Sequence, residues 1–83
     1  MPLTAPPQPP PARTLDVRGK VCPIPVARTA QAIGAMAPGE ILEVLATDPD
    51  VDLDVRAWSL RSGNQLLSLE REGPMFLIRV RRA

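Results

Sequence analysis

A chain of 83 residues holds one small domain at most, and a domain of this size has a thin core, since about 60 residues bury only about 60% of their unfolded surface. Hydrophobic residues make up 45% of the chain, but Trp58 and Phe76 are its only aromatics, so aliphatic side chains must fill that core. Ten basic and nine acidic residues leave a net charge of +1, which is no nucleic-acid footprint, and the lack of His excludes Cys-His and Ser-His-Asp catalysis and any His-based metal site.

Residues Met1 to Ala12 are proline-rich, with Pro2, Pro6, Pro7, Pro9, Pro10 and Pro11. Such a segment cannot pack a core, and the expectation is a disordered or polyproline II tail ahead of a domain over residues 13–83. It lacks the basic start and apolar centre of a secretory leader. No apolar run reaches the length that spans a bilayer.

Thr14 to Val17 alternates polar and apolar, the pattern of a short strand with Leu15 and Val17 on one face. Arg18-Gly19-Lys20 reads as a turn. From Pro23 to Met36 the apolar residues Val26, Ala30, Ile33 and Met36 recur at helical spacing, and Ala37-Pro38-Gly39 stops the helix. Ile41 to Thr47 is a second strand, with Leu42, Val44 and Ala46 facing the core and Glu43 facing water. Asp48-Pro49-Asp50 supplies a turn and a helix cap, and the acids that follow suit the positive end of a helix. Val51 to Ser62 follows helical spacing through Val51, Val55 and Trp58, and Gly63-Asn64 ends it. Gln65 to Glu72 and Met75 to Arg81 are two strands joined at Gly73-Pro74, an antiparallel hairpin. Phe76, Ile78 and Val80 form its apolar face. The order is βαβαββ, which predicts a two-layer α+β sandwich: a four-stranded mixed sheet with two helices on one face.

The stretch Gly19 to Val26 carries the chemistry. It holds Cys22, the single cysteine, which cannot form an internal disulfide and fits a reducing cytoplasm. Pro23 and Pro25 follow it where the strand pattern gives way to the helix pattern. Proline is tolerated at a helix start, whose first four N–H groups have no internal partner. The residue before a proline is pushed away from helical angles. Two registers satisfy both rules: Cys22 as cap with Pro23 first, or Ile24 as cap with Pro25 first. Either puts the sulfur at a helix N-terminus, where the dipole predicts an easily formed thiolate. Arg18 and Lys20 flank the loop and either add positive potential at Cys22 or stand as solvated loop cations. Gly19 serves the turn. Asp48 lies at the same end of the sheet and either shapes the second helix start or joins the site. The competing reading makes Cys22 a small buried core residue.

Leu15-Asp16, Gly19, Cys22-Pro23-Ile24-Pro25-Val26, Pro38-Gly39-Glu40 and Asp48-Pro49 together resemble the TusA (SirA-like) sulfur-carrier family over Thr14 to Arg82. The resemblance implies a βαβαββ sandwich similar to the C-terminal domain of bacterial translation initiation factor three. It implies a sulfur carrier that accepts a sulfane sulfur as a persulfide on Cys22. Its roles would lie in tRNA thiolation, molybdenum cofactor supply or sulfur oxidation. The implied donors are a cysteine desulfurase or a rhodanese-like protein, and the implied acceptor is a DsrE-like protein. No cofactor, nucleic acid or membrane is called for, and a monomer suffices. Two positions depart from some members: Val21 replaces a basic residue, and Ser59 stands where a second cysteine occurs. Persulfide transfer follows thiol–disulfide exchange logic and needs no His. The alternative is a non-catalytic binding or regulatory module with a structural cysteine. A thiol redox protein is weakened by the lack of a Cys-x-x-Cys pair.

Overall fold

The computed structural model describes residues 9–83. The proline-rich tail expected at the N-terminus therefore lies largely outside the described residues. Its last residue, Ala12, already donates its amide to the Ile41 carbonyl at 2.8 Å. The elements are β1 (Arg13–Val17), α1 (Ile24–Gly34), β2 (Ile41–Ala46), α2 (Val51–Ser62), β3 (Gln65–Glu72) and β4 (Met75–Arg81). The βαβαββ order is the expected one. The sheet runs β1-β2-β4-β3, with β1 and β2 parallel and the other neighbours antiparallel.

The core follows from the period of two. In β2, Leu42, Val44 and Ala46 are fully buried; in β4, Phe76, Ile78 and Val80 are buried beside them. These six stand in register as Leu42 with Val80, Val44 with Ile78 and Ala46 with Phe76, so the smallest side chain sits opposite the largest. Val51, Val55 and Trp58 of α2 cover them at the spacing expected from the sequence. Burying each such aliphatic side chain contributes about 1.5–3 kcal/mol, which is how a core nearly free of aromatics holds together.

The stripe that α1 buries differs from the expected one. Pro25, Thr29, Ala32 and Ile33 are buried, Val26 is only partly so, and Ala30 faces out. A polar Thr29 is accommodated because its hydroxyl donates to the Pro25 carbonyl at 2.8 Å, leaving its methyl free to pack. The helix also ends earlier than expected: the Ala35 and Met36 amides reach back three residues, to Ala32 and Ile33, in a tightened last turn.

On the helix-free face, Glu43 is not simply in water. It pairs with Arg79, its cross-strand neighbour, at 3.0 Å, and both side chains are largely covered. α2 ends at Gly63, whose φ of 78° is a left-handed cap. Among the described residues no helix is long and apolar enough to cross a membrane.

Ile78 lies at the centre of the central strand pair, with no exposed surface. Ile78→Ala should lower the unfolding free energy by about 2–5 kcal/mol in urea denaturation, and Ile78→Val by about 0.5–1.5 kcal/mol.

Candidate functional site

Parallel pairing of β1 with β2 matches Val17 to Ala46, so the loops leaving the two strands emerge side by side. Three hydrogen bonds set the path of the first loop. The Lys20 amide donates to the Val17 carbonyl at 3.1 Å, closing the turn. The Gly19 amide donates to Thr47 Oγ1 at 2.8 Å, and the Cys22 amide to Asp48 Oδ2 at 3.0 Å. Gly19 has φ of 78°, which explains glycine at this corner. Asp48 is 5% exposed, and its other oxygen accepts the Asp50 amide at 3.2 Å. One buried carboxylate thus anchors the cysteine loop and the start of α2 together. Asp50 is the N-cap residue of α2 by its backbone, without a side-chain cap bond.

The start of α1 takes neither expected register. Pro23 is the cap, Ile24 the first helical residue and Pro25 the second. The Cys22–Pro23 peptide bond is cis. The Ala27 amide donates to the Pro23 carbonyl and closes the first helical turn. The Ile24 amide turns back to the Val21 carbonyl at 2.9 Å. Pro25 has no N–H, and at this position none is needed. The bias against helical angles before a proline gives way at Ile24, because Pro25 sinks its ring into the core.

Cys22 is exposed, so the buried-core reading of this cysteine does not hold. Its sulfur opens onto a groove of about 310 Å³ between the helices, lined by Pro23, Val26 and Ala27 on one side and Asp54, Ala57 and Arg61 of α2 on the other. The expected easily formed thiolate is also corrected. A hydrogen bond to the Asp54 carboxylate, loss of hydration, and the charges of Asp54, Asp48 and Asp50 push the Cys22 thiol above the ordinary cysteine range. The dipole of α1 is outweighed because two of its first amides are unavailable to sulfur: Ile24 donates to Val21, and Pro25 has no N–H.

The sequence and the fold are matched by known proteins. The sulfurtransferase TusA family model matches residues 13–82. The chain belongs to the TusA family. It is 39% identical over 62 residues to the sulfur carrier protein TusA of Allochromatium vinosum, covering 75% of this chain and 82% of that one. Against YrkI of Bacillus subtilis it is 43% identical over 61 residues, with coverage of 74% and 81%. A relative from Aquifex aeolicus is 38% identical over 71 residues; the match takes in 86% of this chain but only 36% of that longer protein. The crystal structure of a SirA-like protein from Desulfitobacterium hafniense matches with a TM-score of 0.73 at 26% identity, covering 83% of this chain and 95% of that one.

Within this TusA-family fold, Gly19, Lys20, Cys22, Pro23 and Asp48 converge on one end of the sheet, and Pro25 anchors the loop from below. Arg18 is turned to its neighbour: its guanidinium bonds both oxygens of Asp16 at 2.9 and 2.7 Å, and holds that carboxyl down at about 2. Its charge is therefore already answered. Lys20 is exposed and makes no ion pair among the described residues. Val21 is 65% exposed beside the cysteine. Ser59 donates its hydroxyl to the Arg56 carbonyl at 2.9 Å, and it does not line the groove that holds Cys22. Three residues were missed as site residues: Thr47, which holds the Gly19 amide, and Asp54 and Arg61, which line the groove with Cys22. For Asp54 a signal was available, since it lies one helical turn after Asp50, at the helix start beside the cysteine loop. Among the described residues no cluster of three or more His, Cys, Asp or Glu side chains could hold a metal ion.

Asp48→Ala should strand the Cys22 and Asp50 amides and cost about 1–3 kcal/mol in thermal unfolding. Asp50→Ala, whose side chain makes no cap bond, should stay within about 0.5 kcal/mol. The raised thiol predicts a second result. Iodoacetamide should alkylate folded Cys22 more slowly at neutral pH than the same cysteine in the urea-unfolded chain. The rate should climb with pH to a midpoint above that of the unfolded chain, because the carboxylates delay loss of the thiol proton.

Proposed function

We propose that this protein is a sulfur carrier that accepts a sulfane sulfur on Cys22 as a persulfide and hands it to an acceptor protein. The observation that carries the reading is the exposed thiol on a loop whose Gly19 and Cys22 amides are held by the Thr47 and Asp48 side chains, in a chain of the TusA family. In loading, Cys22 sulfur attacks the terminal sulfur of a donor persulfide. The donor S–S bond breaks as the new one forms on Cys22, and the electron pair leaves with the donor's thiolate, which takes up the proton that Cys22 gave up. Discharge repeats the step with an acceptor thiol as attacker. No net oxidation occurs, and no cofactor is required.

The residues divide the work as follows. Cys22 is the sulfur-bearing nucleophile. Gly19, Pro23 and Pro25 hold its loop, Asp48 anchors the loop amide, and Lys20 adds an exposed cation for a docking partner. Arg18, bound to Asp16, keeps the turn. A single cysteine leaves no internal resolving thiol, so the sulfur must pass to a second molecule. A cysteine desulfurase or a rhodanese-like protein is the fitting donor class, and a DsrE-like protein a fitting acceptor.

The test is the intact mass of the protein after incubation with a cysteine desulfurase and cysteine, and separately with a rhodanese and thiosulfate. The expected result is a gain of one sulfur atom, removed by dithiothreitol and absent in Cys22→Ser. Failure of Cys22 to take up sulfur from either donor overturns the proposal.

A further inference from the structure

The charges around Cys22 are arranged against ionisation, the reverse of what a reactive cysteine ordinarily receives. The sulfur faces Asp54 from the first turn of α2, Asp50 from the start of that helix and Asp48 from the loop before it. Arg61 stands further along α2 in the same groove, and α1 contributes only Val26 and Ala27 to the lining, neither of them charged. On the cysteine's own loop, Arg18 is tied to Asp16 and Lys20 points into solvent. Asp48 has a structural duty, since both its oxygens bond backbone amides. The Asp54 carboxylate makes no such backbone bond among the described residues; it lines the groove onto which the Cys22 sulfur opens, where it is an acceptor on hand for the thiol proton. Its place in the first turn suits the dipole of α2, and its place in the groove sets it beside the sulfur.

We propose that Asp54 is a positioning residue for the carrier thiol: its carboxylate takes the S–H hydrogen bond and seats the unloaded sulfur, as a neutral thiol, in the groove between α1 and α2. This rests on the reading of Cys22 as the sulfur-bearing group. The consequence is a two-state device. The unloaded thiol has a proton to give Asp54, so it stays seated and resists small electrophiles, whose attack needs the thiolate. A persulfide is more acidic than a thiol. Once its terminal sulfur is ionised it has no proton to donate, and the carboxylate repels it. The loaded sulfur is turned out of the seat toward solvent, where an acceptor thiol can reach it. No atom is exchanged between Asp54 and sulfur in either state; the carboxylate acts through hydrogen bonding and charge.

The experiment follows alkylation of Cys22 by iodoacetamide against pH, read by intact mass, for the full chain and its Asp54→Asn, Asp54→Ser, Asp54→Glu and Asp52→Asn variants. Thermal unfolding selects the folded variants, and the two removal variants serve as alternates for each other. Removing the carboxylate should speed alkylation at pH 7 several-fold and lower the pH midpoint. Asp54→Glu should stay near the wild type. Asp52→Asn, on the same helix but outside the groove, should leave the midpoint in place, which separates a seat from a general loss of negative charge. After sulfur loading, the ratio of loaded to unloaded alkylation rates should be several-fold smaller in Asp54→Asn than in the wild type. An unchanged or raised midpoint in both removal variants overturns the role of Asp54. Loading measured in parallel keeps the two readings apart: a shifted midpoint in a protein that takes up no sulfur overturns the carrier reading and leaves the seat intact.

Discussion

A buried carboxylate between two loops is the constraint on which the rest of the site depends. Asp48 reaches the Cys22 amide with one oxygen and the Asp50 amide with the other, joining segments 26 residues apart in sequence. Hydrogen bonds with an ionised partner are roughly twice as strong as neutral ones, and burial keeps water from competing for these. The bond depends on the topology. It needs β1 and β2 to be parallel neighbours, so that their C-terminal ends, and the loops beyond them, leave the sheet together. The crossover helix α1 and the apolar alternation of β2 therefore act on the cysteine through Asp48, although neither of them binds that carboxylate.

The second consequence is electrostatic. Anchoring the cysteine loop to the start of α2 also brings that helix's acids to the sulfur. Acids in a first turn stabilise their own helix, and Asp52 and Asp54 occupy that position in α2. The same placement opposes a thiolate next door. α1 offers little in return, because its prolines and the turn back to Val21 leave few amides for the sulfur. The result is a thiol whose geometry is that of a helix start and whose acidity is set by the neighbouring helix.

Much of the fold was legible in the sequence because its signals are local. α2, β3 and β4 have the limits that spacing predicts, since Asp48-Pro49-Asp50, Gly63 and Gly73-Pro74 mark their ends with residues of restricted or unusual backbone freedom. Alternation marks the inward residues of β2 and β4, whereas their pairing, with Ala46 opposite Phe76, is set by the strand order. What failed depends on side-chain contacts that periodicity does not encode. Thr29 is polar, and its burial becomes acceptable only through the Pro25 carbonyl one turn earlier. Glu43 looked solvated because its partner, Arg79, lies 36 residues away. The acids of α2 could be counted but not aimed, because their bearing on Cys22 comes from how two helices lie side by side. The thiolate expectation failed for that reason: a rule about one helix was applied where a second helix decides.

The site also separates two properties of the Cys-Pro-x-Pro stretch. The stretch itself accounts for where the sulfur stands: Pro25 is sunk in the core, Pro23 caps the helix, and Cys22 is left exposed at the corner. It does not account for how reactive the sulfur is. That is set from outside, by Asp54, Asp48 and Asp50, and by the absence of a cation on the loop that could answer them. Val21 brings no charge, Arg18 is bound to Asp16, and Lys20 extends into solvent. Two chains with the same cysteine and prolines could thus carry thiols of different acidity, according to the charges on the first turns of the second helix. The cysteine loop can thus stay constant in such chains while the acidity of its thiol is set on a different element.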